Sequence, residues 1–284
     1  MAMIENMRTI KWAAWLGWEM ESNWTNPIVF IIYSIIRPIM ATLILVFMYL
    51  IVLKSTSAEP ALFSYMFIGN AFYMYVAQVL MGITWVIHED REHYQTLRHI
   101  YIAPVNFKAY LIGRGVTKIV TTTVAILITL AFGILVLGLP ISFHEINWPM
   151  LLLAIFVGLL CICTIGIALA GISLITARHG AGINEGVAGV FYLFCGVIFP
   201  LTVLPSWGQS VALAIPLTYW LEILRRSLVP ETAMISGLSG FSELEILILL
   251  FVSFLFFLSL SNLIFRYADY VARKKGRIDM TTTY

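Results

Sequence analysis

Long apolar runs that reach the length of a bilayer crossing are the feature that most constrains the fold of this chain. Hydrophobic residues make up 61% of the sequence and charged residues 11%, and the mean hydropathy is +0.93. One water-soluble core has no place for so much apolar surface, whereas a helix of roughly 20 apolar residues spans the hydrocarbon of a bilayer. The sequence therefore predicts an all-α integral membrane protein with several spans.

Six apolar runs predict six transmembrane helices within a membrane domain that covers residues 27–270. Asn26 and Pro27 favour the start of the first helix, because Asn caps a helix and Pro suits its first turn. The third helix could begin a turn or two before Ile119. The predicted spans are at about 27–53, 61–87, 119–139, 150–177, 183–199 and 244–265.

The amino-terminal residues 1–26 are polar and rich in tryptophan, and they predict a helix that lies along the membrane interface. Trp12, Trp15 and Leu16 share one helical face, and tryptophan favours the headgroup zone. Glu19 falls on the same face, so an ordinary linker before the membrane stays open. The polar start of the sequence does not predict a cleavable signal.

A dense charged stretch, His88 to Pro104, stands between the second and third apolar runs, and we call it the charged segment. An ionised side chain at mid-bilayer costs from about 2.5 to well over 10 kcal/mol. The charged segment therefore lies outside the hydrocarbon. Its mixed acids and bases are typical of a solvated or docking face, and its histidines are spaced so that they spread around a helix rather than form a metal site.

A second unusual stretch, residues 200–229, is broken by prolines, and we call it the broken segment. It is too interrupted to cross the bilayer as one helix and too apolar for a free loop. We therefore expect short re-entrant or interfacial helices between spans five and six. An ordinary loop outside the membrane is the alternative.

The distribution of positive charge sets the predicted orientation. With six spans, most lysines and arginines fall on one side, and this asymmetry places both termini and the charged segment in the cytoplasm of a multi-pass protein of the cell membrane. A basic cytoplasmic tail is predicted at 271–284. The positive residues on the predicted cytoplasmic side are Arg8, Lys11, Arg91, Arg98, Lys108, Arg114, Lys118, Arg178, Arg266, Arg273, Lys274, Lys275 and Arg277.

The motifs of several enzyme classes are missing from the sequence. No lysine follows a glycine, so the phosphate-binding motif GxxxxGK[ST] is absent, as are GxSxG and HExxH. The predicted spans are nearly free of acids, and Glu185 is expected at the interface or at the cytoplasmic end of a cavity. Arg37 is a possible substrate or lipid contact, or a cation that reaches back to the interface. An ion-coupled secondary carrier or a polytopic membrane enzyme stays open as the alternative function.

Two stretches carry a resemblance to a known family. Glu89-Asp90-Arg91-Glu92, followed by Thr96-Leu97 and Ala103-Pro104, resembles the cytoplasmic loop of type 2 ABC exporter permeases, which include polysaccharide, teichoic acid and drug exporters. Gly196-Val197-Ile198-Phe199-Pro200 through Leu204-Pro205-Ser206-Trp207 and Pro216-Leu217-Thr218-Tyr219 to Glu222 and Arg225-Arg226 is similar to the segment after span five of that family. The family usually has Gly before Thr-Leu and an acid after it, where this chain has Gln95 and Arg98.

The resemblance implies a transmembrane permease subunit of an exporter that moves an amphipathic or lipid-linked substrate. It implies two copies of an ABC ATP-binding subunit, a second permease copy or paralogue, and a lipid bilayer as partners, with no nucleic acid. No cofactor is expected on this chain, because ATP and Mg would be held by the partner. The residues expected to contact the ATPase, through a coupling helix between spans two and three, are Glu89, Arg91, Glu92, Tyr94, Thr96, Leu97, Arg98 and Tyr101.

The same resemblance implies an outer gate in and just before the broken segment. Its apolar helices would exclude water from the exit, while its prolines would keep it from forming a full span. The residues expected in the outer gate are Phe199, Pro200, Leu204, Pro205, Trp207, Pro216 and Tyr219.

Overall fold

A computed structural model describes residues 2–22, 27–49, 60–176 and 180–279, and within these ranges the chain is helical with no β-strand. The predicted all-α class is confirmed. Short 3₁₀ turns occur at Leu201–Val203, Pro230–Met234 and Arg277–Asp279. The α-helices are α1 Ala2–Ser22, α2 Pro27–Met48, α3 Pro60–Tyr75, α4 Met81–His88, α5 Leu97–Ile102, α6 Phe107–Leu137, α7 Trp148–Ile175, α8 Gly180–Phe194, α9 Ser206–Ala214, α10 Pro216–Leu228 and α11 Glu243–Lys274.

Four helices among the described residues are long and apolar enough to cross a membrane: Ala61–His93, Phe107–Leu137, Trp148–Ile175 and Glu243–Lys274. They correspond to the predicted spans two, three, four and six. The predicted first span coincides with α2, but its expected end at residue 53 falls outside the described residues. The predicted fifth span coincides with α8, which has 15 residues and is shorter than the usual crossing length of about 20.

Two of these long helices extend further than the apolar runs indicate. Helix α6 begins at Phe107, about three turns before the predicted Ile119, because the side chain of Asn106 caps it by accepting a hydrogen bond of 3.1 Å from the backbone N–H of Lys108. Helix α11 continues to Lys274, nine residues past the predicted end at Phe265. Charged side chains at the end of a span do not stop a helix, since they can reach water or a partner.

Each long helix has one end in a charged region. The first of these four helices, Ala61–His93, has its carboxyl end where α6 begins, and the carboxyl ends of α7 and α11 lie there as well. We call this region, around His93, Phe107, Ile175 and Lys274, the charged end of the bundle. The other end, which includes the loop before Trp148, is the opposite end.

Helix α1 packs along α6 near the charged end. Thr117 donates a hydrogen bond of 2.8 Å to the backbone carbonyl of Ala14, and Lys118 forms an ion pair of 2.9 Å with Glu21. Ala13 is buried on this contact face, whereas Trp12 and Trp15 on the other faces are 60% and 57% exposed. A helix is therefore present at Ala2–Ser22, within the residues 1–26 for which an interfacial helix was predicted, and it packs on α6 by its small residues with Trp12 and Trp15 outward.

The helix Ala61–His93 contains two π-helical segments, Val76–Leu80 and Glu89–His93. A π-helical turn holds one more residue than an α-helical turn, and such segments often occur at functional sites. The second segment is composed of the charged residues Glu89, Asp90, Arg91, Glu92 and His93. The charged segment thus begins as a direct continuation of a candidate span.

Candidate functional site

The charged segment folds as a helical extension, a sharp turn and a short helix. The π-helical turn ends at His93, the chain bends at Tyr94, and α5 follows at Leu97–Ile102. Gln95 has a backbone φ of 54°, in the left-handed region where a non-glycine residue is strained. The type 2 ABC exporter permeases that this chain resembles usually have glycine at this position, and glycine adopts a positive φ without strain.

Asp90 lies near the start of the charged segment and is 1% exposed. The hydroxyl of Tyr110 on α6 donates a hydrogen bond of 2.8 Å to Oδ2 of Asp90, and the hydroxyl of Thr96 donates one of 3.5 Å to Oδ1. A backbone bond of 2.8 Å from the N–H of Thr96 to the carbonyl of Asp90 closes the same turn. Asp90 therefore holds the turn together and joins it to α6.

Neighbouring Glu89 provides a second link to α6. Its Oε2 accepts a hydrogen bond of 2.7 Å from Nη2 of Arg114, and the Arg114 side chain is 6% exposed. Ion pairs that are shielded from water are weakened less by salt than exposed pairs. The start of the charged segment is thus joined to α6 at two points one helical turn apart, Tyr110 and Arg114.

Arg91 points the other way, towards α7. It is 4% exposed, and Nη2 donates a hydrogen bond of 2.8 Å to the backbone carbonyl of Ser173 near the end of α7. Its Nε and Nη1 have no hydrogen-bond partner among the described residues. Glu92 is also buried. The buried guanidinium places a positive charge near the carboxyl end of α7, where the helix dipole favours it.

Helix α5 is linked to α11. The hydroxyl of Tyr101 donates a hydrogen bond of 3.0 Å to Oδ1 of Asp269, and the guanidinium of Arg273 lies 5.1 Å from the centre of the Tyr101 ring. Burial, followed by the negative charge of Asp269, raises the pKa of the Tyr101 phenol, so that it stays protonated and donates. Leu97 is 1% exposed and belongs to the core.

The predicted contact residues therefore divide by exposure. Arg91, Glu92 and Leu97 are buried in the chain, and Glu89, Thr96 and Tyr101 are partly buried. Only two of the eight, Tyr94 and Arg98, are exposed. We call these two residues and their exposed neighbours in the sequence the exposed face. The exposed face consists of His93, Tyr94, Gln95, Arg98, His99, Ile102, Ala103, Pro104, Val105 and Asn106.

The broken segment forms two short helices that differ in burial. Pro205 precedes α9, and Pro216 occupies the first turn of α10. Trp207 on α9 is 64% exposed, whereas every residue of α10 is buried among α3, α7 and α11. Of the predicted gate residues, Pro200, Pro216 and Tyr219 are buried, Phe199 and Leu204 are partly buried, and Pro205 and Trp207 are exposed.

Arg225 fixes α10 to the rest of the bundle. It is 1% exposed, and it donates to the backbone carbonyls of Tyr65 at 3.0 Å, Gly196 at 2.6 Å and Val197 at 3.0 Å. Its guanidinium also lies 3.7 Å from the centre of the Tyr65 ring. A planar guanidinium with several donors can satisfy carbonyls on two elements at once. Arg225 thereby joins α10 to the start of α3 and to the chain after α8.

The adjacent Arg226 makes a separate connection. Its Nε forms a buried ion pair of 2.6 Å with Glu222, and its Nη atoms donate to the carbonyls of Phe241 at 2.7 Å and Leu238 at 2.8 Å. Phe241 and Leu238 lie in the connection that precedes α11. The two arginines thus hold both flanks of the broken segment.

Trp220 packs α10 against α7. It is fully buried, and a methyl group added at Gly158 would meet its Nε1 at 1.9 Å. Gly158 is therefore required for the close approach of α7 to the indole.

Most of the chain, residues 10–229, matches the family model of the ABC-2 type transporter. The chain belongs to the ABC-2 type transporter family. No curated protein matches it in sequence. The predicted resemblance to type 2 ABC permeases is thereby confirmed, and this ABC-2 type transporter is a multi-pass membrane protein with a role in transport.

The family match covers both segments described above and ends at Val229, before α11. Sequence reasoning assigned no site role to Asp90, Tyr110, Arg114 or Arg225, although their contacts organise the two segments. A pairing between residues that are 20 or 25 positions apart on different helices leaves no mark in sequence spacing. The side chain of Arg37, the predicted lipid or substrate contact, lies outside the part of this ABC-2 type transporter that is described.

Proposed function

We propose that the chain is the transmembrane permease subunit of an ATP-driven exporter and that it receives work through the exposed face. The complex would contain two ATP-binding subunits and a second permease copy or a paralogue, and the exposed face would contact an ATP-binding subunit. ATP and Mg would be bound by those subunits, and this chain would act as a non-enzymatic path for an amphipathic or lipid-linked substrate. The linkage of one small segment to three long helices is the observation that carries this proposal.

The exposed face has the composition of a docking surface. Tyr94 and Ile102 are 38% and 72% exposed, and Arg98 lies between them in sequence. Aromatic and apolar side chains give contact area at protein interfaces, and a charge fixes the register of the partners. Leu97, Arg91 and Glu92, which the sequence predicted as contacts, would instead hold the face in place from beneath.

The buried side of the charged segment supports mechanical coupling. Asp90 and Glu89 are bonded to α6, Arg91 to α7 and Tyr101 to α11. Removing one partner of a buried polar pair leaves the other without a hydrogen bond, which costs about 1–3 kcal/mol. A partner that shifts the exposed face would therefore move all three helices rather than separate the segment from them.

The orientation proposed from the sequence agrees with this arrangement. Six spans would need α2 and α8 to cross the bilayer, with the charged end in the cytoplasm. Helix α2 has 22 residues, which is enough for a crossing, and α8 could complete one with the chain that follows it. The positive residues Arg98, Lys108 and Lys274 at the charged end support a cytoplasmic position.

The broken segment would then lie on the outer side as a re-entrant pair of helices. Buried α10 would form the inner wall of the outer gate, and exposed Trp207 on α9 would reach the interface, which tryptophan favours. Arg225 and Arg226 would keep this unit rigid while spans move beneath it.

Reconstitution with the ATP-binding partner tests the proposal. The tagged chain is co-purified with candidate ABC ATP-binding subunits, and ATPase activity is measured in nanodiscs with and without the permease. We expect a stable complex with stimulated ATPase activity, and we expect Arg98→Glu to reduce complex formation. Lys275→Glu makes the same charge change at the same end of the bundle but outside the exposed face, so it should leave the complex intact.

Two results would contradict the proposal. The first is a chain that binds no ATP-binding subunit and accumulates a solute in liposomes with an ion gradient alone, as a secondary carrier does. The second is an Arg98→Glu variant whose complex and ATPase stimulation equal those of the wild type.

A further inference from the structure

A cavity of about 700 Å³ lies at the charged end between α1, α4 and α6. This volume is within the range of about 300–1,000 Å³ that is usual for small-molecule sites. Gly17 and Met20 of α1 form one wall, Gly82 and Trp85 of α4 form another, and Glu185 of α8 reaches the rim. The cavity shares His93 and Tyr94 with the exposed face, and no residue of the broken segment lines it.

The charges that line the cavity do not balance. Arg114 is paired with Glu89 at 2.7 Å, and Lys118 is paired with Glu21 at 2.9 Å. Glu185 also lines the cavity, and it has no ion pair among the described residues. Within the same ranges, the buried Oε2 of Glu21 accepts no hydrogen bond. With neutral histidines, the lining thus carries one negative charge more than it has positive charges.

Aromatic rings complete the lining. The rings of Trp85 and His88 are 4.8 Å apart, and those of His93 and Tyr94 are 4.7 Å apart, and all four residues line the cavity. The face of an aromatic ring attracts a cation, most strongly for tryptophan. The cavity thus combines an excess negative charge with indole and phenol rings. This combination suits a ligand that has a positive charge and an apolar body.

We propose that this cavity binds an amphipathic organic cation, with Glu185 and Glu21 facing its positive group and Trp85 contacting its apolar body. The inference rests on the proposed export function for its biological meaning, because it assigns the class of cargo taken up from the cytoplasmic side. Helix α1 forms one wall of the cavity and is joined to α6 by the ion pair between Glu21 and Lys118.

A pair of ions with the same shape and opposite charge tests the inference. The full chain, purified in detergent without any partner, is dialysed to equilibrium against tetraphenylphosphonium or tetraphenylborate. We expect tetraphenylphosphonium to bind at least about tenfold more tightly than the borate, because the lining has a surplus negative charge and a like charge beside it is unfavourable. Empty micelles give the background partition of each ion.

Two conservative variants locate the binding. We expect Glu185→Gln to weaken tetraphenylphosphonium binding about threefold to fivefold, as for the loss of one partly exposed ion pair. Trp85→Leu should weaken it about fivefold through loss of the aromatic contact with the phenyl groups. Glu145→Gln removes the same charge from an exposed loop at the opposite end and should change nothing. Unchanged elution in size-exclusion chromatography shows that each variant is folded.

Equal binding of the two ions, or wild-type affinity in both Glu185→Gln and Trp85→Leu, would overturn the inference. Because no ATP-binding subunit is present in this assay, its outcome is independent of complex formation. Selective cation binding without ATPase stimulation would support the cation site and contradict the exporter proposal. ATPase stimulation without selective binding would support the exporter proposal and contradict the cation site.

Discussion

The hydroxyl of Tyr110 donates a 2.8 Å hydrogen bond to the carboxylate of Asp90, and Asp90 is 1% exposed. This bond joins the turn of the charged segment to the first part of α6. Since burial removes water as an alternative partner, the strength of the bond depends on both residues being present.

We expect Tyr110→Phe to destabilise the protein by about 1–3 kcal/mol, because Asp90 is left with the weaker 3.5 Å bond from Thr96. The apparent unfolding temperature in detergent measures the loss, and ATPase stimulation should fall with it. Tyr94→Phe removes a hydroxyl from an exposed tyrosine and is the matched control. An unfolding temperature that is the same for both variants would show that the bond is not formed.

Gln95→Gly should have the opposite effect on stability. Gln95 has a φ of 54°, and left-handed backbone costs a non-glycine residue about 1–2 kcal/mol that glycine avoids. We expect a higher unfolding temperature for Gln95→Gly. His99→Gly, in the middle of α5, should lower it, because glycine destabilises a helix by about 1 kcal/mol. A decrease in both variants would argue against the left-handed turn.

Gly158→Ala should disturb the packing of α10 on α7. The added methyl group would overlap the Trp220 indole at 1.9 Å, and overpacking of a core typically costs about 1–3 kcal/mol. Gly240→Ala, where the added carbon meets nothing within 4 Å, is the control. Unfolding temperature and the yield of monodisperse protein report the difference. Equal behaviour of the two variants would place Trp220 elsewhere.

Thiol labelling tests the two faces of the broken segment. In a background without native cysteines, we expect Thr202→Cys, at an exposed position, to react with a membrane-impermeant maleimide added from outside. Ser227→Cys, at a position that is 0% exposed, should stay protected. Adding Arg225→Gln removes three hydrogen bonds to carbonyls and should expose Ser227→Cys. Equal labelling of Thr202→Cys and Ser227→Cys in the presence of Arg225 would favour an ordinary loop.

The part of the fold that follows from local composition could be predicted: apolar length located the four confirmed candidate spans, and proline placed the break between α9 and α10. The ends of helices were less predictable, because charged residues beside an apolar run were interpreted as the end of the helix. The third span was predicted to start near Ile119, after the positive residues of Phe107–Lys118. Those residues instead form the start of α6, because Asn106 caps the helix and Arg114 pairs with Glu89.

The candidate site was predictable in position but not in orientation. The run Glu89–His93 is charged, and charge alone indicates a wet surface, whereas Asp90 and Arg91 face the interior. Their burial depends on Tyr110 and Ser173, which belong to other helices. The sequence likewise showed Arg225 without showing the carbonyls of Tyr65 and Gly196 that it satisfies.

The π-helical segment Val76–Leu80 sits between α3 and α4, upstream of the charged segment. Because such a turn accommodates a surplus residue, shortening the chain by one amino acid at Ala77 should convert it to ordinary α-helix and preserve the angular phase of everything beyond. The same deletion within α4 would rotate Asp90 and Arg91 by about 100°. We therefore expect the protein to fold with a one-residue deletion at Ala77 but not with the same deletion within α4.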